Sequence, residues 1–243
     1  MEIGLWIAMI AFSYLYGSIN NAILISGMLK KDIRKMGSGN PGTMNMFRSF
    51  GLGWGILTLV LDALKGVIPA VLGWFLLGYG KVGYFSFDGT KLGLYACSVS
   101  VLLGHIFPVY YKFRGGKGVA STIGVCFVLN PWMSGIALVL AIVVLLTTKY
   151  GFLASFVALS LPCIYEFVSE MIAGNYLQAI LILLIFGVVV LMHRTNIARF
   201  VKGVENKTII FGKNKTSTKI QAELKEKEER QKEENKEQEI INE

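Results

Sequence analysis

Apolar residues run along this chain in long blocks. They cover residues 3–29, 51–79, 92–110, 119–130, 132–148, 152–172 and 176–192. Roughly 20 apolar residues let a helix cross the hydrocarbon layer of a bilayer. The blocks therefore predict membrane-spanning helices. The first, 3–29, holds no charged residue and follows no basic start (Met1-Glu2-Ile3-Gly4), so it reads as a retained span rather than a cleaved leader. The polar connections are unequal in charge. Lys30, Lys31, Arg34, Lys35 and Arg48 follow the first block. Lys112, Arg114 and Lys117 form a second basic connection, Lys149 a third, and Arg194, Arg199 and Lys202 a fourth. The connections at 81–91, Asn130-Pro131 and Gly174-Asn175 are poor in Lys and Arg.

Basic connections favour the cytoplasm, and parity then fixes the count of crossings. If 119–148 were one kinked span, Lys149 and the segment 193–202 would fall on opposite faces. A turn at Pro131 puts every basic connection on the same face. The expectation is an all-α polytopic membrane protein with about seven transmembrane helices. Its N-terminus lies outside and its C-terminus in the cytoplasm. The cost is one short span, 119–130, about 18 Å long, which must tilt little, thin the bilayer or be shielded by neighbours. Beyond Phe211 the pattern stops, and charges alternate through 223–230 without an apolar stripe. The expected division is a transmembrane domain over 1–212 and a charged, disordered cytoplasmic tail over 213–243, which buries no face.

Composition agrees. Hydrophobic residues make up 53% of 243 and charged residues 16%, which excludes an ordinary soluble domain. The net charge of +8 matters mainly through its gathering on one face. Cys97, Cys126 and Cys163 all lie inside apolar blocks without metal-ligand spacing, so they read as buried small hydrophobes.

Three segments on the basic face carry candidate chemistry. Gly37-Ser38-Gly39-Asn40-Pro41-Gly42-Thr43-Met44-Asn45-Met46-Phe47-Arg48 combines glycines that let backbone N–H groups approach an oxyanion, neutral side-chain donors, and a planar cation. It lacks the Gly-Lys-Ser/Thr ending of a nucleotide P-loop. In the second, Gly115-Gly116-Lys117-Gly118 precedes an apolar block, which resembles a phosphate nest at a helix N-terminus. Lys112 and Arg114 would suffice for a stop-transfer cluster, and the glycines are not needed for that. His105, upstream, reads as a packing or capping histidine. The third runs from His193 to Glu205. His193, Asn196 and Arg199 recur every three residues, so a helix lines them up on one face. An interfacial basic anchor accounts for the Arg and Lys there but not for Asn196 or Glu205. Asp62 and Lys65 sit within an apolar block, where an i, i+3 pair facing the bundle interior is the least costly arrangement. Lys65 is either structural or turned to the polar site.

Together these segments resemble the bacterial membrane glycerol-3-phosphate acyltransferase family that uses acyl phosphate, the PlsY type. The family's first motif matches Gly37 to Arg48. Its second matches Gly104-His105-Ile106-Phe107-Pro108 and Gly115 to Ala120, and its third His193 to Glu205. Its Asp-x-x-Lys-Gly matches Asp62 to Gly66, and the likeness covers residues 1 to about 210 in order. One departure is that the family's serines after a basic-Tyr pair are reduced to Ser155 behind Lys149-Tyr150.

The resemblance implies acyl transfer from a fatty acyl phosphate to the 1-hydroxyl of glycerol 3-phosphate. The products are lysophosphatidic acid and inorganic phosphate, in the first acylation step of phospholipid synthesis. It implies His193 and Asn196 as catalytic residues. It implies substrate contacts from Ser38, Asn40, Gly42, Thr43, Asn45, Arg48, Lys65, Gly115, Gly116, Lys117, Gly118 and Ser155. It calls for no cofactor, metal, nucleic acid or obligate protein partner, and places the site on the cytoplasmic face of a bacterial inner membrane among its lipids. A mixed anhydride carries its own leaving group, so no covalent serine or cysteine intermediate is required. Neither His105 nor His193 has an Asp four intervening residues later, as the other acyltransferase design needs. The base is His193 or a substrate phosphate oxygen. A transporter of an anionic metabolite is the competing class, but no internal repeat is present and the motifs crowd one face rather than the midplane.

Overall fold

The computed structural model describes residues 2–77, 79–82, 85–88, 91–209 and 230. Ten helices in these stretches make the bundle: α1 Glu2–Ser18, α2 Asn21–Met28, α3 Thr43–Phe50, α4 Leu52–Leu77, α5 Leu92–Ile106, α6 Val119–Leu129, α7 Pro131–Thr148, α8 Gly151–Ile172, α9 Tyr176–Met192 and α10 Arg194–Val201. A small antiparallel hairpin, β1 Tyr79–Val82 and β2 Phe85–Asp88, joins α4 to α5. It is the departure from an all-α chain. The expected tail, 213–243, lies outside the described residues apart from Arg230.

Five segments are long and apolar enough to cross a membrane: Ile3–Met28, Leu52–Leu77, Leu92–Tyr111, Pro131–Thr148 and Gly151–Ile172. Tyr176–Met192 joined to Arg194–Val201, bent by 47°, makes a sixth. The short block resolves as α6, 11 residues long, packed against α4, α5, α7 and α8. Its neighbours give it the shielding that its length demands. Asn130 caps α7 by accepting from Met133 N at 3.0 Å, and Pro131 occupies the first turn, where a missing N–H costs nothing.

Lipid tails are as apolar as leucine, so helices gain by packing closely rather than by hiding from solvent. Glycines permit this at the main crossings. A Cβ on Gly17 would lie 2.3 Å from the Val101 carbonyl oxygen, and one on Gly104 2.2 Å from that of Tyr14, which sets the α1–α5 contact. Gly66 and Gly124 do the same for α4 and α6, where added Cβ atoms would reach Ser121 O and Ala63 O at 2.0 Å. The central core gathers Leu94, Val125, Leu159, Ile182 and Val189.

The first span is interrupted at Ile19–Asn20. Asn20 caps α2 through Ile23 N at 3.0 Å and donates to Pro41 O at 3.2 Å, which ties the break to the first glycine-rich loop. The apolar pattern gave no sign of a second polar cluster at the far end of α8. There Lys91 Nζ lies 2.6 Å from Glu166, Tyr95 donates to the same carboxylate at 2.7 Å, and Asn175 donates to Glu170 at 2.8 Å. Buried carboxylates are tolerated when paired in this way.

Candidate active site

The three basic segments converge on one cavity of about 410 Å³. The first contributes Ser38, Asn40, Gly42, Thr43, Met44, Phe47 and Arg48 to its wall. The α3 helix buries Asn45, Met46, Ser49 and Phe50 and leaves Thr43 and Arg48 for the cavity. Asn45, expected as a substrate contact, braces the loop instead. Its Oδ1 accepts from Ser38 N at 3.0 Å, and its Nδ2 donates to the carbonyls of Ile33 and Met36 at 3.2 and 2.9 Å. Gly37 holds φ +54°, and a Cβ there would strike Asn45 Oδ1 at 2.2 Å. Arg48 reaches Ser38 Oγ at 3.2 Å and Thr208 Oγ1 at 3.4 Å. Thr43 Oγ1 is buried without a hydrogen-bond partner, a costly state that a ligand oxygen would relieve.

The second loop corrects the nest reading in part. The N–H of Gly115 donates to Ile106 O and that of Gly116 to His105 O, each at 3.1 Å, so neither is left for phosphate. Their lack of side chains has another cause: a Cβ on Gly115 would lie 2.0 Å from His105 O, and one on Gly116 2.2 Å from His105 Nε2. Gly118, at φ +83°, caps α6 and lines the cavity with Val119 and Ala120. The first N–H groups of α6 have no acceptor within the helix and meet the cavity at its positive end. Lys117 directs Nζ to Asn196 Oδ1. Burial, then Arg199, lowers the Lys117 ammonium; Glu205 opposes this, Arg48 adds to it, and the result is about 8. Burial also lowers Arg48, against the pull of Glu205.

The third segment enters at the bend between α9 and α10. His193 Nδ1 lies 2.8 Å from Val189 O. A carbonyl only accepts, so Nδ1 carries the hydrogen and Nε2 keeps its lone pair. The Phe156 ring holds the imidazole edge-on at 5.2 Å. Asn196 has its orientation forced: Oδ1 faces the Lys117 ammonium, while Nδ2 donates to Glu205 Oε1 at 2.5 Å. Glu205 also takes Arg199 Nε at 2.7 Å, and both His193 and Glu205 line the cavity. Glu205 ends the third motif, but its spacing alone gives it no place in the site. Its value lies in contacts with residues 6 and 9 positions earlier, made only when the chain turns back at Gly203, φ +72°. The chain is pinned there by Thr208 N on Lys149 O at 2.7 Å.

Two remaining expectations diverge. Ser155 lines the cavity, but its hydroxyl hydrogen goes to Gly151 O at 2.9 Å. Lys65 is turned away from the lining. Its Nζ donates to Ile19 O at 2.6 Å and to His105 Nδ1 at 3.0 Å, and lies 3.3 Å from Asp62. Its neighbours Asp62 and His105, not expected at the site, do line the cavity.

Away from this polar pole the cavity becomes apolar. Ile56 and Leu59 of α4, Ile123 of α6, Leu138, Ala141, Ile142 and Leu145 of α7, and Ala158 of α8 form its walls. Ile56 and Ile142 are nearly half exposed, so the groove opens sideways between α4 and α7 toward lipid. At one end Arg48 and Lys117 line the cavity with two carboxylates, Glu205, which is paired with Arg199, and Asp62, which is paired with Lys65, and apolar side chains line the other end. Such a cavity suits an amphiphile with a phosphorylated head.

A family model described as glycerol-3-phosphate acyltransferase matches residues 7–203. A protein of that name from Paraburkholderia phytofirmans is 36% identical over 196 residues, covering 80% of this chain and 87% of the relative. Another from Staphylococcus aureus strain Newman is 37% identical over 204 residues, covering 83% and 96%. Among solved structures, PlsY, an integral membrane glycerol 3-phosphate acyltransferase, superposes in its glycerol 3-phosphate form with TM-score 0.71 at 31% identity, covering 85% of this chain and 96% of that one. Its lysophosphatidic acid form superposes with TM-score 0.69 at 30% identity, covering 88% and 97%.

Proposed function

The chain belongs to the glycerol-3-phosphate acyltransferase family, integral membrane enzymes of phospholipid synthesis, and on that premise we propose that its acyl donor is a fatty acyl phosphate and its acceptor oxygen the 1-hydroxyl of glycerol 3-phosphate. One observation carries this reading. A single cavity joins the pole of Ser38, Thr43, Arg48, Lys117 and Asn196 to an apolar groove open to the bilayer. An acyl phosphate fits lengthwise, with its chain in the groove and its phosphate at the cations. The second phosphorylated substrate shares the same pole.

The hydroxyl oxygen attacks the acyl carbonyl. The new ester C–O bond forms as the bond from the acyl carbon to the phosphate oxygen breaks, and inorganic phosphate departs. The hydroxyl proton passes to His193 Nε2 or to a phosphate oxygen. Lys117 and Arg48 hold phosphate charge, and the second amide hydrogen of Asn196 serves the carbonyl oxygen. The decisive assay is phosphate release from palmitoyl phosphate by the purified protein. Release should require glycerol 3-phosphate and yield acylated product; release that ignores it would overturn the reading.

A pH dependence follows from Lys117. With its ammonium at about 8, the protonated, phosphate-binding form is complete below that pH and lost above it. In kcat/KM, which reports the free enzyme, a basic limb should begin near pH 8. Bound phosphate stabilises the ammonium, so kcat should hold to higher pH. A Lys117→Met variant should lack the limb, and an identical limb in that variant would assign it elsewhere.

We further place the protein in a bacterial inner membrane with seven crossings, α6 counted as the short one, and with the site in the cytoplasm. Supporting this, the basic connections share the site's end of the bundle. In intact cells, Lys112→Cys and Lys202→Cys should resist an impermeant thiol reagent and Ala173→Cys should react. Labelling of Lys202→Cys from outside breaks the parity.

A further inference from the structure

The cavity wall contains a donor that none of the reaction's assigned residues explains. His105 is 4% exposed, at the end of α5, and is held at one ring nitrogen. Lys65 Nζ sits 3.0 Å from Nδ1. An ammonium only donates, so Nδ1 must accept, and the neutral ring carries its hydrogen on Nε2. Among the described residues nothing bonds to Nε2. It points to the loop before Lys117, where only the missing side chain of Gly116 leaves it uncovered, since a Cβ there would lie 2.2 Å away. His105 is part of the cavity lining.

Lys65 is fixed in turn. It caps Ile19 O, a carbonyl freed by the break between α1 and α2, at 2.6 Å. Asp62 balances its charge at 3.3 Å and is itself held by Asn21 Nδ2 at 2.8 Å. Lys65 and Asp62 are 2% and 1% exposed. A buried ion pair of this kind costs desolvation, and its best-attested use is to fix one arrangement among several.

We propose that His105 Nε2–H is a further substrate-contacting donor, aimed at a phosphate oxygen beside Lys117, and that Lys65 is the positioning residue that fixes its tautomer. This rests on the reaction proposed above. It gives His105 a different job from His193. At His193 the backbone holds the hydrogen on Nδ1 and leaves an acceptor at Nε2. At His105 an ammonium takes the lone pair of Nδ1 and leaves a donor at Nε2. The two imidazoles thus face one cavity in opposite tautomers.

The phosphate oxygen belongs to acyl phosphate or to glycerol 3-phosphate. Measuring KM for each with the other saturating identifies which. His105→Leu should raise one KM by about 10-fold or more, as expected for loss of a hydrogen bond to a charged group, with kcat changed less. His105→Gln places an amide N–H near the Nε2 position and should restore most of that loss. Lys65→Met should reproduce the leucine defect, and the Lys65→Met/His105→Leu double variant should be no worse than His105→Leu alone, because one residue acts through the other. Gly116→Ala, whose Cβ would stand 2.2 Å from Nε2 and so must displace or cover it, should show the same KM effect and carries the test if His105→Leu does not fold. Equal KM values in His105→Leu and His105→Gln, additive losses in the double variant, or a normal Gly116→Ala would each overturn the proposal. Calorimetric binding of glycerol 3-phosphate and of inorganic phosphate to the same variants gives an arm independent of turnover. If the wild-type protein binds these anions but releases no phosphate from palmitoyl phosphate, the proposed reaction fails while weaker anion binding by His105→Leu still upholds this contact.

Discussion

Lys117→Ala is expected to lower kcat/KM by about 10²–10³-fold, the usual cost of removing one preorganised donor from a developing oxyanion. The ammonium is held by Asn196 within a site shared with Arg48 and Arg199, so it is aimed before substrate arrives. Its partners are polarised away from water, which strengthens each charge-assisted bond to phosphate. Lys117→Arg should recover only part of the loss, because a planar fork does not replace a compact ammonium. Arg48→Ala should fall in the same range. Arg48→Lys keeps the charge but gives up the fork that meets Ser38 and Thr208. The measurement is initial rate with both substrates varied, on detergent-purified protein whose thermal unfolding matches wild type. A folded Lys117→Ala enzyme with near-normal turnover removes Lys117 from the phosphate site.

What the sequence makes legible is what depends on composition over a window. Runs of apolar residues mark the spans, and a density of glycines and neutral donors beside cations marks an anion site, because neither signal needs distant contacts. The target of each donor does depend on them. Asn45 and Asn40 read alike in the first motif, yet Asn45 points inward to the Ile33 and Met36 carbonyls while Asn40 lines the cavity. Gly115 and Gly116 look like a backbone cradle, but α5 ends against them and takes both N–H groups. Lys65 looks like a cation for substrate, but the break after Ser18 supplies a carbonyl nearer to it. In each case the deciding atom comes from a part of the chain that spacing alone does not bring near. Glu166 and Glu170 are hidden in the sequence for the opposite reason, since two carboxylates barely dent the hydropathy of a 22-residue helix.

His193 and Asn196 part company in what their replacement should do. Asn196→Ala removes the acceptor that aims Lys117 and the amide that meets Glu205, so its loss should approach that of Lys117→Ala, about 10²–10³-fold. The double variant Lys117→Ala/Asn196→Ala should then cost little beyond either single change, because both remove the same interaction. His193→Ala should cost at least about 10²-fold, within the range for a lost general base or an orienting group. The lone pair on Nε2 is what either proposed role requires, as the acceptor for the hydroxyl hydrogen of glycerol 3-phosphate. His193→Gln separates them. A glutamine carbonyl accepts a hydrogen bond and orients the hydroxyl, but it is too weak a base to take the proton. Substantial activity in His193→Gln therefore assigns the proton to a phosphate oxygen and leaves His193 to orient. Activity as low as in His193→Ala, with KM for glycerol 3-phosphate unchanged, assigns the proton to Nε2. Full activity in both His193→Ala and Asn196→Ala would remove the bend between α9 and α10 from the chemistry altogether.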